Sequence, residues 1–404
     1  MTDAESSGGG RVAVRSGARL PLLDVLRGVA ILGTLATNVW LFTGPASEAG
    51  VLFGTDAAVP ADAVLADPTA GSVAEALFRF VANGKFLALL TVLFGVGLAV
   101  QFRAAERRGE RWPGRYPWRA LFLLVEGLVH FTLVFAWDVL MGYAVVSLLV
   151  AWLLTRSRRV RSVVMWTQLG LHLLLMSVLT AALVSVGDEL DSTSPAELTR
   201  LYAEGSYLDQ IAFRLANFVP LRLEPVLTFG LLVFLFLLGV RLFRAGAFEP
   251  DADGRRIRGR LLRWGLGVGL PLNIATTLAG PDYFLLDRYV AAPIVALGLI
   301  GFVGALVDRA RGTGWLFTST SALGRTALTG YVTQNVLCMV VSYGFGLGLA
   351  TSLAGTGPWW VFGLWVAVCA FLLIAAPWWL GRFDRGPLEA LQHTVLSRIP
   401  ARRR

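Results

Sequence analysis

A chain of 404 residues that is 55% hydrophobic and only 16% charged lacks the polar surface that a soluble domain of this size needs. Its formal net charge of +9 rests on arginines set between apolar runs, a topological pattern rather than a basic face for nucleic acid. Two cysteines within apolar runs and three histidines never paired at ligand spacing argue against a disulfide framework, a metal site or a tightly bound cofactor.

Residues 1–19 are rich in Gly, Ser and Arg and are expected to form a disordered cytoplasmic tail. Leu20 to Pro45 is long enough to cross a bilayer. Arg11, Arg15 and Arg19 resemble the n-region of a signal peptide, but the apolar run is too long for an h-region, so an uncleaved helix is expected. Within it Asp24, Arg27, Thr34 and Asn38 return to nearly one helical face. Such a stripe is costly in hydrocarbon and has to look inward, at other helices or a water-filled cavity.

The next connection, 44–72, carries Glu48, Asp56, Asp62 and Asp67 and no basic residue. The stretch that follows reads as interfacial up to Asn83 and membrane-crossing from Lys85, ending in Arg103, Arg107, Arg108, Arg111, Arg115 and Arg119. Ala120 to Leu154 is too long for one span and breaks best at Ala136-Trp137-Asp138, where Asp138 can cap the second helix of a hairpin. A fifth span at about 162–186 leads from the RSRRVR block into an acidic segment, 187–210. A sixth at about 225–242 enters the Arg-rich segment 241–263, and two more flank AGPDYFLLDRY near Asp282. The ninth begins near Arg325 and the tenth covers about 359–380.

These readings give an all-α polytopic membrane protein with a single ten-helix domain over 20–393 and a basic cytoplasmic tail over 394–404. Arg-rich and acidic or neutral connections alternate, which places both termini in the cytoplasm. LFGVGLAVQFRA (93–104) and FLLGVRLFRA (236–245) form a short internal echo. Gly-rich pieces such as FGVGLAV and YGFGLGLA fit close-packed helix faces rather than nucleotide loops, and Trp40, Trp137, Trp359, Trp360, Trp378 and Trp379 fit interfacial belts.

With this topology Asn38, Lys85, His130, Asp138, Arg222, Glu224, Asp287 and Arg288 belong to outer halves or outer turns. Glu126 lies one helical turn from His130, so the two can share a hydrogen bond or a proton. They equally suit interhelical glue, as Asp138 suits a cap, Asp287 with Arg288 an interfacial pair, and His172 a packed core histidine. Lys85 is the sole lysine. Asp24 and Arg27 can pair at i, i+3 in the inner half, which also holds Arg325.

LDVLRGVAILGTLATNVWLF, KFLALLTVLFGVGLA, EGLVHFTLVFAWDVLMGYAV, LLGVRLFRAG, GRTALTGYVTQNVL and GPLEAL occur in an order that resembles the YeiB-like family of bacterial inner-membrane proteins, which carry domain of unknown function 418. That family resembles, more distantly, transmembrane acyltransferases that move acyl groups from a cytoplasmic thioester to sugars at the outer face. Arg27 falls on the arginine of that group's first span, while Asn38 stands where its basic histidine would be. A neutral amide positions groups or stabilises an oxyanion but takes no proton. The resemblance therefore implies His130 as base, tuned by Glu126 or Asp138, with Arg27 and Arg325 on the phosphates of an acyl-CoA donor. Lys85, Asp287, Arg288, Gln334 and Asn335 are the candidate contacts to a lipid-linked or saccharide acceptor. A transporter lined by the same polar stripe, or a non-catalytic membrane component, is the competing reading.

Overall fold

In hydrocarbon, backbone N–H and C=O groups have to be satisfied within their own segment, and this chain meets that demand with helices. The computed structural model describes residues 20–44, 46–53, 59, 61–186, 196–310 and 313–399, and among these no strand occurs. The N-terminal tail, Asp56, Asp188, Glu189, Asp191, Arg311 and the last residues from 400 lie outside the described set.

Helix α1 (Pro21–Thr43) opens on a proline, whose missing N–H has no intrahelical partner to lose there. A short 3₁₀ turn covers Ser47–Phe53. Helix α2 (Ala70–Ala82) ends at Asn83, Gly84 takes φ +69°, and α3 (Lys85–Arg107) then begins, so the expected interfacial-to-crossing joint is a glycine hinge. Lys85 seals that joint: its Nζ donates to the Phe80 carbonyl and lies 4.4 Å from the Phe80 ring centroid. Helices α4 (Tyr116–Leu133) and α5 (Leu140–Leu154) form the expected hairpin about 136–138, and α6 (Arg158–Val186) follows. The chain continues through α7 (Phe229–Arg244), α8 (Ala252–Gly267), α9 (Gly269–Leu278) and α10 (Ala292–Arg309). It closes with α11 (Trp315–Arg325), α12 (Ala327–Ser342), α13 (Trp359–Leu380) and α14 (Pro387–Ser397).

Among the described residues, five helical stretches are long and apolar enough to cross a membrane: Pro21–Thr43, Ala70–Arg107, Arg158–Ser185, Pro281–Arg309 and Trp359–Leu380. The further spans read from the sequence correspond to α4, α5, α7, the α8–α9 pair broken at Val268, and α12. These are shorter or more polar, with 18 residues in α4, 15 in α5 and 16 each in α7 and α12.

Four expectations need correction. The Arg-rich segments 241–263 and 309–325 are not simple loops, because arginine is a good helix former and α8 and α11 occupy much of them. Arg258 on α8 is buried, donating to the Ala247 and Glu249 carbonyls and pairing with Asp308 at 2.8 Å. YGFGLG at 343–348 is a turn, not a helix face, and the supposed C-terminal tail from 394 starts inside α14. Trp40 is buried and Trp137 donates to the Glu48 carbonyl at 2.7 Å, so neither belongs to an interfacial belt, whereas Trp359 and Trp378 are exposed.

Close helix crossings are made at glycine. A methyl group on Gly95 of α3 would run into the Phe236 carbonyl of α7, and one on Gly239 of α7 into the Val92 carbonyl of α3. The two GV elements of the internal echo therefore face each other across one crossing. Backbone approach of this kind drives helix association where no hydrophobic effect operates. Gly239→Leu is expected to destabilise the protein by about 3 kcal/mol or more, since a helix backbone cannot yield as a side chain does. Gly170→Leu, at a site with open space around it, is the control, and melting of the detergent-solubilised proteins compares them.

Candidate functional site

The hairpin turn 134–139 delivers Asp138 to the start of α5, where its Oδ2 accepts from the Leu140 and Met141 N–H groups at 2.8 and 3.2 Å. Those are orphan donors of the first turn, so the capping role expected of Asp138 holds. Its other oxygen, Oδ1, lies 3.0 Å from Nδ1 of His130, and both side chains are all but sealed from solvent. The partner of His130 is thus Asp138 and not Glu126. Glu126 points elsewhere, and its two carboxylate oxygens are buried without a hydrogen-bond partner among the described residues.

The far side of the ring is also occupied. Asn335 Nδ2 lies 3.2 Å from His130 Nε2, and Asn38 Nδ2 donates to Asn335 Oδ1 at 3.1 Å. With Asp138 Oδ1 accepting from the Nδ1–H of His130, Nε2 is left to accept from the Asn335 amide. Residues from α1, α4, the hairpin turn and α12 therefore form one buried chain, Asn38–Asn335–His130–Asp138. Gln334 Nε2 donates to the Thr34 hydroxyl at 3.4 Å, so the polar stripe of α1 meets a second amide side chain of α12.

The rest of that stripe faces cavities, as expected. On the side that the sequence topology makes outer, a cavity of about 90 Å³ is lined by Thr34, Asn38, Trp40, Asn83, Glu224, Arg288 and Tyr331, among others. An inner one of about 240 Å³ is lined by Arg27, Gln101, Arg119, Arg325 and Glu389, and again by Tyr331. The Tyr331 ring, common to both, packs 5.2 Å from that of His130. Arg27 keeps its i, i+3 contact to Asp24 at 3.5 Å, and Arg325 Nε is buried with no hydrogen-bond partner among the described residues.

Asp287 and Arg288 do not pair with each other. Asp287 is saturated by Asn273, Thr276, Thr277 and Asn83 at 2.6–3.0 Å. Arg288 instead donates to Asn83 Oδ1 at 2.8 Å and reaches Glu224 at 3.5 Å. Asn83 thus links the two residues, and only Arg288 opens on the outer cavity. Both lie on a π-helical turn, Asp287–Ala291, whose Tyr289 carbonyl accepts from His172 Nε2 at 3.0 Å. Lys85, spent on the hinge, lines neither cavity.

Four residues that the sequence did not single out as site residues belong here: Asn83, Glu224, Arg119 and Arg222. Arg222 donates to the Asp138 carbonyl at 2.7 Å while its Nη2 is buried with no hydrogen-bond partner among the described residues. Their signal was depth, since Arg222 and Glu224 share the outer level with His130 and Asp138.

The C-terminal motifs have a physical link. Glu389, of the GPLE element, accepts from the Leu328 N–H at 2.8 Å and from the Thr329 hydroxyl at 2.6 Å. It caps α12 where that helix restarts after Arg325. The GR-ALT-Y and GPLE elements therefore grip each other at the inner cavity.

Residues 242–398 match the family described as protein of unknown function DUF418. The chain is 28% identical to YxaH of Bacillus subtilis over 392 residues, 92% of this chain and 93% of that protein. It is likewise 28% identical to YeiB of Escherichia coli over 397 residues, 94% of this chain and 97% of the relative. Along nearly its whole length the chain is similar to these two proteins, and its C-terminal part to DUF418. Both relatives are described as uncharacterized, and no solved structure matches the chain. The DUF418 match includes Arg288, Arg325, Asn335 and Glu389 but not His130, Asp138 or Asn38, so the candidate site is completed from outside the matched residues.

Proposed function

We propose that this protein is a membrane acyltransferase of ten spans, with both termini on the cytoplasmic side of the bacterial inner membrane. The observation that carries the reading is the sealed His130–Asp138 pair behind Tyr331, the residue shared by an inner arginine-lined cavity and an outer polar one. Arg27 and Arg325, with Arg119, hold the phosphates of an acyl-CoA, whose thioester arm occupies the inner cavity. The acceptor, lipid-linked or saccharide, enters the outer cavity beside Asn38 and Arg288.

Transfer requires the Asn335 amide to leave Nε2. That nitrogen then takes the acceptor hydroxyl proton as the oxygen bonds to the acyl carbon. The carbon–sulfur bond breaks, and the proton passes from His130 to the departing thiolate. Asp138 keeps the imidazole in the Nδ1–H tautomer, and the amide of Asn38 is placed to steady the developing oxyanion.

The test is acetyl-CoA binding to the detergent-purified protein by thermal shift and calorimetry. Binding is expected to weaken about tenfold or more in Arg27→Ala, the scale of one lost charge-assisted phosphate contact. No stabilisation by any acyl thioester would overturn the reading. A permease is the second reading, favoured by the same two cavities meeting at Tyr331, and solute uptake into vesicles by the His130→Ala variant separates it from transfer.

A further inference from the structure

Away from this site, the beginning of α6 and the end of α7 enclose a cleft of about 460 Å³ with four arginines and no carboxylate in its wall: Arg158, Arg161, Arg241 and Arg244. Arg158 and Arg161 stand in the first turn of α6, where the positive end of the helix dipole adds to their charge instead of offsetting it. Arg161 uses its Nη1 on the Leu154 and Arg156 carbonyls, at 3.1 and 2.8 Å. The side chains of Arg158 and Arg241 make no hydrogen bond or ion pair among the described residues. The four like charges repel one another, with Glu106 near Arg244 easing this only in part, and an anion among them relieves the repulsion.

The cleft floor is apolar, built from Met165, Leu237 and Val240. Beside it on α6 stands Trp166, exposed and packed against Phe234 of α7 with ring centroids 5.9 Å apart. By contrast, the neighbouring cleft that shares Arg161 and Arg244 also carries Glu106 and Glu249 in its wall, so its charge is already balanced in part.

We propose that the α6–α7 cleft is a binding site for an anionic phospholipid, whose headgroup phosphate sits among the four arginines and whose acyl chains lie along α6. The cleft needs both features, a doubly ionisable or diester phosphate for the guanidinium forks and a hydrocarbon chain for the floor. A free phosphate satisfies the first and leaves the second uncovered.

The experiment titrates the full-length protein, purified in a neutral detergent, with phosphatidylglycerol, phosphatidylcholine and inorganic phosphate, reading melting temperature and lipid adducts by native mass spectrometry. Phosphatidylglycerol is expected to bind saturably and to raise the melting temperature, with little effect from phosphatidylcholine. In Arg158→Gln/Arg241→Gln its apparent affinity is expected to fall about tenfold or more, the scale of two charges removed from an anionic headgroup. That pair is chosen because neither side chain holds the fold, whereas Arg161 does. The control, Arg256→Gln/Arg260→Gln, removes the same net charge from exposed positions on α8. Equal weakening in the control would reduce the effect to bulk charge and overturn the site. Equal stabilisation by inorganic phosphate would make it a soluble-anion site, and absence of saturable phosphatidylglycerol binding would remove it altogether.

Discussion

Asp138→Asn is expected to fold like the parent yet lose acyl transfer as completely as His130→Ala, by about 10²–10⁴-fold, the usual contribution of a positioned general base. The carboxylate serves two masters with two oxygens, Oδ2 for the α5 N-terminus and Oδ1 for His130. An asparagine has one acceptor and keeps it on the two backbone N–H groups, because asparagine caps as well as aspartate. Its NH₂ then faces His130 Nδ1. The ring must accept there and carry its proton on Nε2, the wrong tautomer for a base, as in the equivalent substitution of a serine-protease triad. Asp138→Ala loses the cap as well and is expected to cost a further ~1 kcal/mol of stability. Thiol release from acyl-CoA by membranes holding each variant, beside their melting temperatures, separates chemistry from folding. Because His130 and Asp138 act as a unit, the double variant is expected to be no worse than either single one. Retained turnover in His130→Ala would remove this histidine from the mechanism.

What could be read in the sequence was local. The α2–α3 hinge, the hairpin break and the length of α1, α6 and α13 follow from run lengths, a glycine and a capping aspartate, each a matter of a few neighbouring residues. The inward face of α1 was legible for the same reason, since polar groups in hydrocarbon have to be recovered somewhere. Choice of partner was not legible. Helical spacing offered Glu126 to His130, but i, i+4 proximity does not fix where the side-chain heads point, and the hairpin turn brought Asp138 round to the same ring. Depth reasoning came nearer, placing Asn38, His130, Asp138, Arg222, Glu224 and Arg288 at one level, where the structure joins the first four through Asn335 and the Asp138 carbonyl and sets Glu224 beside Arg288 in a second cluster. Arg-rich segments misled in the opposite direction. The charge bias that marks a cytoplasmic connection says nothing of its conformation, so α8, α11 and the anchoring Arg258 went unseen.

The contact least visible in the sequence is expected to matter most for stability. Glu48 and Arg214 are 166 positions apart and form a fully buried ion pair at 2.6 Å. The second carboxylate oxygen of Glu48 accepts from the Ala136 N–H at 2.6 Å, and Tyr202 donates to the first at 3.0 Å. Arg214 in turn donates to the Thr132 and Val134 carbonyls at 3.1 and 3.3 Å. Together the pair satisfies the backbone of the turn that α4 leaves open before α5 begins, which is the turn that presents Asp138 to His130. Glu48→Ala or Arg214→Ala strands one buried charge and orphans those backbone groups, so each is expected to cost about 3–5 kcal/mol. Glu48→Leu with Arg214→Met removes both charges at once and is expected to recover most of that loss, since attraction in such a pair scarcely exceeds its desolvation. The recovered fold would still lack the bond to Ala136 N–H. Thiol release should therefore remain depressed in the double variant when its melting temperature does not. A double variant active at the parental level would show that the turn holds Asp138 unaided. Single variants that melt with the parent would show that Glu48 and Arg214 do not lock it at all.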